Sequence, residues 1–202
     1  MATLRQLEVH ESFNEYTDGC AKEALRHIVG VQFRNLATVG GSVFGRFGFS
    51  DVLTLLLVMD SYVELYKGGI VPLADFVNMP YDRDILVRVI VKKTAAHYSY
   101  KSVRISKTDF PVLTCAAALT QEGVQAAVGA RPAKAALVKD AEQLATLPMT
   151  AEKAQAFAEY AAGLLPTETN PRGSAAYRTH LIKVLTLSLI HISEPTRHSL
   201  IS

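Results

Sequence analysis

Four glycines fall within nine residues of one another early in the chain, and this cluster constrains the fold more than any other feature. They are Gly40, Gly41, Gly45 and Gly48. In ATVGGS (residues 37–42) the adjacent glycines allow backbone amides to approach an anion closely, as in a phosphate-binding nest, with the hydroxyls of Thr38 and Ser42 on either side. The segment is neither a GxGxxG dinucleotide fingerprint nor a loop ending in GK[ST]. Since a Gly-Gly pair is also typical of a tight turn, both interpretations stay open on these residues alone.

Hydrophobic periodicity predicts helices and strands together in the first part of the chain. Residues 14–29 carry helical spacing. A short apolar helix follows, with Ser50 or Asp51 as its N-cap. Residues 62–73 (YVELYKGGIVPL) are typical of a β-hairpin with a glycine turn, and residues 85–91 alternate as a strand does.

The composition changes after Lys93, where small residues become frequent. The pattern predicts one strand, then a hairpin rich in alanine, then three helices, of which the second has Thr150 as N-cap. These predicted elements are residues 97–105, 112–120, 124–130, 141–146, 150–165 and 174–186.

Together these elements indicate an α+β protein with a first lobe over residues 1–93 and a sheet-plus-helices C-terminal lobe over residues 94–186. The 202 residues carry a net charge of +2, which provides no strong field for nucleic acid or a membrane surface. The apolar run at residues 55–59 is far too short to span a bilayer. Cys20 and Cys115 lie far apart with no CxxC pair, so we expect a reduced, cytoplasmic protein without a metal site of its own.

A longer pattern surrounds the glycine pair. It consists of Arg34-Asn35, Ala37-Thr38, Gly40-Gly41, Ser42 and, at the start of the next helix, Ser50-Asp51. This arrangement resembles the RNxATxGG pattern of the flavin-binding subunit of the molybdenum hydroxylases, the family of xanthine dehydrogenase and aerobic carbon monoxide dehydrogenase. Three later segments, YKSVRISKTDFPVLTCAAAL, VGARPAKA and AYRTHLIKVL, resemble family landmarks in the same order, so the resemblance covers residues 1–186.

The resemblance implies a partial FAD-binding lobe followed by the family's C-terminal lobe. FAD would receive electrons from an iron–sulfur subunit, fed in turn by a molybdenum subunit, and pass them to NAD or another acceptor. The cofactor-binding residues carried over by position are Thr38, Gly40, Gly41, Ser42, Ser50, Asp51 and Lys101. Asp51 would lie at the adenosine, and Lys101 near the isoalloxazine, where a cation stabilises the reduced flavin. No residue is implied as a catalytic acid or base, because the redox chemistry belongs to the cofactor.

Each of these residues also has an ordinary structural interpretation. Asp51 is a helix cap whether or not it contacts FAD, and Lys101 on a strand is usually a solvated charge. Arg34 and Asn35 are expected to fix the turn into the glycine pair rather than to contact substrate. The alternative function is a non-enzymatic scaffold or interaction fragment that keeps the C-terminal lobe and has lost flavin.

Several features depart from the family pattern. Ser42 stands where Asn is commoner, and the loop GRFGF contains Arg46, which we expect to compensate by meeting a phosphate. The first residues resemble the sequence that follows the family's first sub-lobe, so we interpret Met1 as an internal methionine. With half of its phosphate cradle missing, this chain alone is predicted to bind FAD weakly or not at all.

The last residues have an origin of a different kind. LSLIHISEPTR (residues 187–197) resembles the in-frame translation of a transposase adapter used in sequencing libraries. We therefore predict that residues 187–202 are an artefactual tail and that the final helix ends near Thr186.

Overall fold

A computed structural model describes residues 1–193; residues 194–202 lie outside the described part. Six short helices come first, followed by a three-stranded sheet with one further helix between its second and third strands. The elements are α1 (Leu4–Glu8), α2 (Glu11–Tyr16), α3 (Cys20–Leu25), α4 (Val31–Leu36), α5 (Val39–Phe44), α6 (Asp51–Leu57), β1 (Asp60–Leu65), β2 (Gly69–Pro72), α7 (Leu73–Asn78) and β3 (Leu86–Lys92). The sheet is antiparallel, in the order β2-β1-β3.

The second part of the chain is a four-stranded sheet followed by two long helices. Its elements are β4 (Ala96–Val103), β5 (Leu113–Thr120), β6 (Gly123–Gly129), β7 (Ala136–Lys139), α8 (Ala151–Leu164) and α9 (Ala175–Ser193). The strands pair antiparallel in sequence order. The mixed α+β class predicted from the sequence is confirmed, as are the hairpin of β1 and β2, the small-residue hairpin of β5 and β6, and Thr150 as the N-cap of α8.

The second sheet lies between two hydrophobic clusters. Ala116 and Ala118 of β5 pack with α6 and the first sheet, whereas Cys115 and Ala117 face α8 and α9. A strand that is covered on both faces requires apolar residues at every position, which explains the unbroken run of small side chains in β5. The sheet is thus the middle layer of the molecule.

The single helix predicted over residues 14–29 is wrong, because the structure has two helices, α2 and α3, in its place. Gly19 has φ +77° and Asp18 has φ +52°, so the chain turns there and α2 ends before α3 begins. The Asn14 side chain secures this turn by accepting a hydrogen bond from the Lys22 amide at 2.8 Å. Helical spacing of apolar residues persists across the break, and spacing alone did not reveal it.

Two later predictions also need correction. Residues 141–146 form turns instead of a helix, because the Asp140 carboxylate accepts hydrogen bonds from the amides of Leu144 and Ala145. The final helix does not end near Thr186 but continues to Ser193, with Ile190 buried in the second cluster. The artefactual origin of residues 187–202 stays a prediction, and residues 194–202 of that segment lie outside the described part.

A contact between two glycines joins the two parts of the chain. The carbonyl oxygen of Gly48 accepts a hydrogen bond from the Ala130 amide at 2.6 Å. A Cβ on Gly48 would lie 2.0 Å from the carbonyl oxygen of Ala133, and one on Gly129 would lie 2.7 Å from that of Gly48. The loop after α5 therefore meets the end of β6 at a distance that no other residue permits.

Candidate functional site

The glycine pair is helical in the structure. Gly40 and Gly41 lie in the first turn of α5, and neither has a positive φ. Thr38 is the N-cap, and its Oγ1 accepts a hydrogen bond from the Gly41 amide at 3.1 Å. The nest interpretation of the backbone is therefore wrong: a capped helix replaces the glycine turn. The capping accounts for the Thr-x-x-Gly spacing.

A cavity of about 540 Å³ lies beside this helix, which we call the first cavity. It falls within the size range of small-molecule sites. Both parts of the chain line it. The first part contributes the residues around α5 and the start of α6, and the second contributes Arg104 and residues 108–111.

Several residues that line the first cavity carry hydroxyl groups, and another carries a carboxylate. Thr38, Ser42, Ser50 and Asp51 all line it. Ser50 is the N-cap of α6, since its Oγ accepts a hydrogen bond from the Leu53 amide at 3.2 Å. The expectation that Asp51 is itself the cap is wrong: Asp51 is the first residue of α6, and its side chain faces the second part of the chain.

Asp51 is the centre of a buried network that joins the two parts. Its Oδ1 accepts hydrogen bonds from the Tyr100 hydroxyl at 2.5 Å and from Nη2 of Arg104. Burial raises the pKa of Asp51, while the nearby Arg104 charge and the Tyr100 hydrogen bond oppose that rise. Burial and the Asp51 charge raise the pKa of Tyr100 well above its ordinary value. The phenol therefore stays protonated and donates a hydrogen bond to the carboxylate.

Aromatic rings also line the first cavity. The rings of Phe47 and Phe49 are stacked with centroids 5.3 Å apart, and Phe110 meets Phe49 edge-on at 4.5 Å. All three side chains are partly exposed and line the cavity. Such faces suit a planar heteroaromatic ring.

A second cavity of about 770 Å³ lies on the other side of α5. Val39 and Gly40 line it, together with apolar residues of β3. Thr38 and Gly41 line both cavities, so the start of α5 separates them. Gly41 is tightly placed, because a Cβ there would lie 3.1 Å from Oγ1 of Thr38.

The structure brings most, but not all, of the predicted site residues together. Thr38, Gly41, Ser42, Ser50 and Asp51 share the first cavity, and Gly40 faces the second. Lys101 lies elsewhere. It stands on the face of the second sheet that α9 covers, where its Nζ donates to Oγ of Ser188 at 2.7 Å. Its assignment to the isoalloxazine therefore gains no support from the arrangement.

The expectation that Arg46 meets a phosphate is wrong. Its guanidinium is buried and donates to the carbonyl oxygens of Phe76 and Met79. It also lies over the rings of Phe76 and Tyr81, at 4.4 and 4.1 Å from their centroids. The residue anchors the loop after α5 to α7, and its charge does not reach either cavity.

Sequence reasoning missed Arg104 and Tyr100. The alternation of Tyr98 and Tyr100 along β4 shows that both face the same side of the sheet, which is a readable signal. No spacing in the sequence connects Arg104 with Asp51, 53 residues earlier. Arg34 has a structural role, but not at the turn into the glycine pair where it was expected: its Nε and Nη2 donate to the Glu8 carboxylate and its Nη1 donates to the carbonyl of Ile28, so it joins α4 to α1.

Within residues 1–193 no group of three or more His, Cys, Asp and Glu side chains is placed to hold a metal ion. In the same part of the chain no helix is long and apolar enough to cross a membrane.

Two models of known protein domains match this chain. Residues 1–94 match the model of the FAD-binding domain in molybdopterin dehydrogenase. Residues 98–192 match the C-terminal domain of the CO dehydrogenase flavoprotein, so that the two models together account for nearly the whole described chain. The chain belongs to the FAD-binding subunits of the molybdenum hydroxylases.

A relative in Escherichia coli matches most of this chain. The protein YgfM of Escherichia coli (strain K12) is 28% identical over 169 residues, covering 83% of this chain and 62% of YgfM. The chain thus spans under two thirds of the length of that relative. YgfM of Escherichia coli O157:H7 matches with the same figures.

The solved structures share the fold. Carbon monoxide dehydrogenase from Hydrogenophaga pseudoflava has a TM-score of 0.84 at 20% identity, covering 96% of this chain and 72% of that one. Quinoline 2-oxidoreductase from Pseudomonas putida 86 has a TM-score of 0.82 at 21% identity, with the same coverage. Carbon monoxide dehydrogenase from Oligotropha carboxidovorans has a TM-score of 0.81 at 17% identity, covering 95% and 72%.

Proposed function

We propose that this chain forms part of an FAD site and, weakly on its own as the missing half of the phosphate cradle predicts, holds the adenosine diphosphate end of the cofactor in the first cavity. One observation carries the proposal: five residues chosen from the sequence as cofactor ligands, spread over α5 and α6, line this one cavity. The donor set fits the group, since hydroxyls suit phosphate oxygens, a carboxylate suits ribose or adenine donors, and aromatic faces suit the adenine ring. The close approach of Gly41 to Thr38 adds a cradle that a Cβ would fill.

Each side chain has a definite part in binding. Oγ1 of Thr38 already accepts from Gly41, so its own hydrogen is available to a phosphate oxygen. Asp51 has both protein donors on Oδ1, so its other oxygen can accept from a ribose hydroxyl or an adenine amino group. Phe47 and Phe49 exclude water from the ring that they cover.

The wider role follows from the family. Bound FAD supplies the ability to accept and release one or two electrons. We propose that the parent complex is a xanthine dehydrogenase-like or CO dehydrogenase-like oxidoreductase in the cytoplasm, in which an iron–sulfur subunit delivers electrons that originate at a molybdenum subunit. The proposed acceptor is NAD or another oxidant. The chain's own residues bind and orient the flavin and carry out no proton transfer.

Gly41→Ala tests the position of the cofactor. Its methyl group would crowd Thr38 Oγ1, so we expect the Kd for FAD to rise about tenfold, which corresponds to ~1.4 kcal/mol. The free energy of unfolding should change by no more than ~1 kcal/mol, because alanine favours a helix where glycine does not. The measurement is an equilibrium titration of FAD fluorescence, which detects weak binding that gel filtration would lose.

Gly163→Ala is the matched control. Gly163 also lies in a helix, and a Cβ there meets nothing within 4 Å. We expect this variant to bind FAD as the unchanged protein does. The proposal fails if the unchanged protein gives no saturable titration, or if folded Gly41→Ala binds FAD with full affinity.

A further inference from the structure

Arg104 lines the first cavity from the second part of the chain. Its side chain is only 8% exposed. Nη2 pairs with Asp51 and Nη1 donates to the carbonyl of Asp109 at 2.6 Å, but Nε has no hydrogen-bond partner among the residues that the structure describes. A buried N–H without a partner is costly, so such a group in a ligand-sized cavity indicates a missing acceptor.

Arg34 shows what a complete arrangement looks like in the same protein. Its Nε and Nη2 bind the two carboxylate oxygens of Glu8 at 2.8 and 3.3 Å, as a two-point fork. Arg104 is about as deeply buried, yet it contacts Asp51 through one nitrogen and one oxygen. Tyr100 occupies the same oxygen of Asp51, which fixes the carboxylate in this one-point contact. The Nε–H of Arg104 has no acceptor among the described residues, and because Nε itself is covered, a ligand oxygen in the cavity reaches it only after a shift of the side chain.

The identity of that acceptor follows from the chemistry of the cavity. A guanidinium edge binds phosphate oxygens in particular, because its N–H groups match their geometry and charge. The neighbouring donors of the cavity are hydroxyls at Thr38, Ser42 and Ser50. Such a set of donors around an apolar cavity fits a phosphorylated nucleoside better than an uncharged one.

We propose that Arg104 binds a phosphate oxygen of the dinucleotide through Nε–H, held in place by Asp51 and Tyr100. This inference rests on the proposed function, and it adds Arg104, from the C-terminal domain, to the residues that bind the cofactor. The diphosphate then lies between the α5 residues on one side and Arg104 on the other. Cofactor binding and the packing of the two domains are therefore coupled, because one ion pair serves both.

Arg104→Lys tests the assignment. Lysine keeps the positive charge beside Asp51 but lacks the Nε–H edge, so we expect the Kd values for FAD and ADP to rise about tenfold or more. The affinity for adenosine, which has no phosphate, should stay within about twofold of its original value. Arg131→Lys is the control, since Arg131 is also buried with an unpartnered Nε but does not line the cavity and donates instead to the carbonyl of Pro166. Isothermal titration of the full chain with the three ligands measures both variants.

The outcomes separate the two proposals. If the unchanged protein binds neither FAD nor ADP, the proposed function fails and this inference fails with it. If the unchanged protein binds both and Arg104→Lys loses nothing, or loses adenosine equally, only the role of Arg104 is overturned. If Arg104→Lys does not fold, a measurement on the unchanged protein still tests the inference. In the ¹⁵N spectrum of arginine Nε–H groups, ADP should shift the Arg104 signal and leave the Arg34 signal in place. A shift of neither signal at saturating ADP contradicts the inference.

Discussion

Arg34→Met is expected to lower the free energy of unfolding by about 3–5 kcal/mol, since it leaves the buried Glu8 carboxylate without its main partner. The two groups lie on α1 and α4 and connect the start of the chain to the segment before α5. Arg5 lies 3.0 Å from the same carboxylate but is partly exposed, so it compensates only in part. Urea denaturation monitored by circular dichroism measures the change.

The pH dependence of this variant distinguishes a lost charge partner from lost packing. Burial alone would raise the pKa of Glu8, but hydrogen bonds from Arg34 and Arg5 and their charges lower it below 4.5. In the unchanged protein Glu8 therefore contributes stability that is present above pH 4.5 and is lost as the pH falls through the lowered value. In Arg34→Met the pKa should be raised instead, so the deficit relative to the unchanged protein should shrink on acidification.

An exposed pair provides the control for Arg34→Met. Arg26 pairs with Glu23 at 2.9 Å, with the Arg26 side chain about half exposed. Arg26→Met should cost less than ~1 kcal/mol and show little pH dependence. Equal costs for the two variants would show that the buried pair has no special role.

Gly48→Ala is expected to destabilise the protein by about 3 kcal/mol or more. Its Cβ would lie 2.0 Å from the carbonyl oxygen of Ala133, which is backbone and cannot rotate away. The two parts of the chain must separate locally to admit the methyl group, and the hydrogen bond from the Ala130 amide to the Gly48 carbonyl is strained as they do so. Thermal and urea unfolding measure the loss.

Gly129→Ala provides a test of mechanism, because its Cβ would crowd the Gly48 carbonyl at 2.7 Å, in addition to the hydroxyls of Thr54 and Thr114 at 2.5 Å. Residues in one contact do not act independently, so the double variant should lose clearly less than the sum of the single variants. Gly163→Ala, in open space on α8, should be neutral or slightly stabilising. Additive costs for Gly48→Ala and Gly129→Ala would contradict a shared contact.

The parts of the fold that could be predicted are those that local chemistry decides. Ser50 and Thr150 were readable as helix caps, and the glycine turn between β1 and β2 identified a hairpin. The break at Gly19 was not readable, because a left-handed glycine and a continuing apolar spacing look alike in the sequence. The same ambiguity made the Gly40-Gly41 pair look like a turn when the Thr38 cap makes it helical.

The lining of the first cavity was predictable where its residues are close in sequence and not where they are distant. Thr38, Ser42 and Asp51 lie on consecutive elements, so a short motif contains them. Arg104 enters the site only because the second sheet packs against α6, which is a tertiary event. Lys101 lies away from the first cavity for the converse reason: a one-residue step along β4 from Tyr100 turns its side chain to the opposite face, so its place beside the isoalloxazine stays a prediction.

A crystal structure of the full chain at saturating FAD tests the position of the cofactor most directly. We expect the diphosphate between Thr38 and Arg104, with the adenosine beside Asp51 in the first cavity. Electron density for the adenosine diphosphate in the second cavity, on the Val39 and Gly40 side of α5, would contradict the proposal, and so would density elsewhere with the first cavity empty.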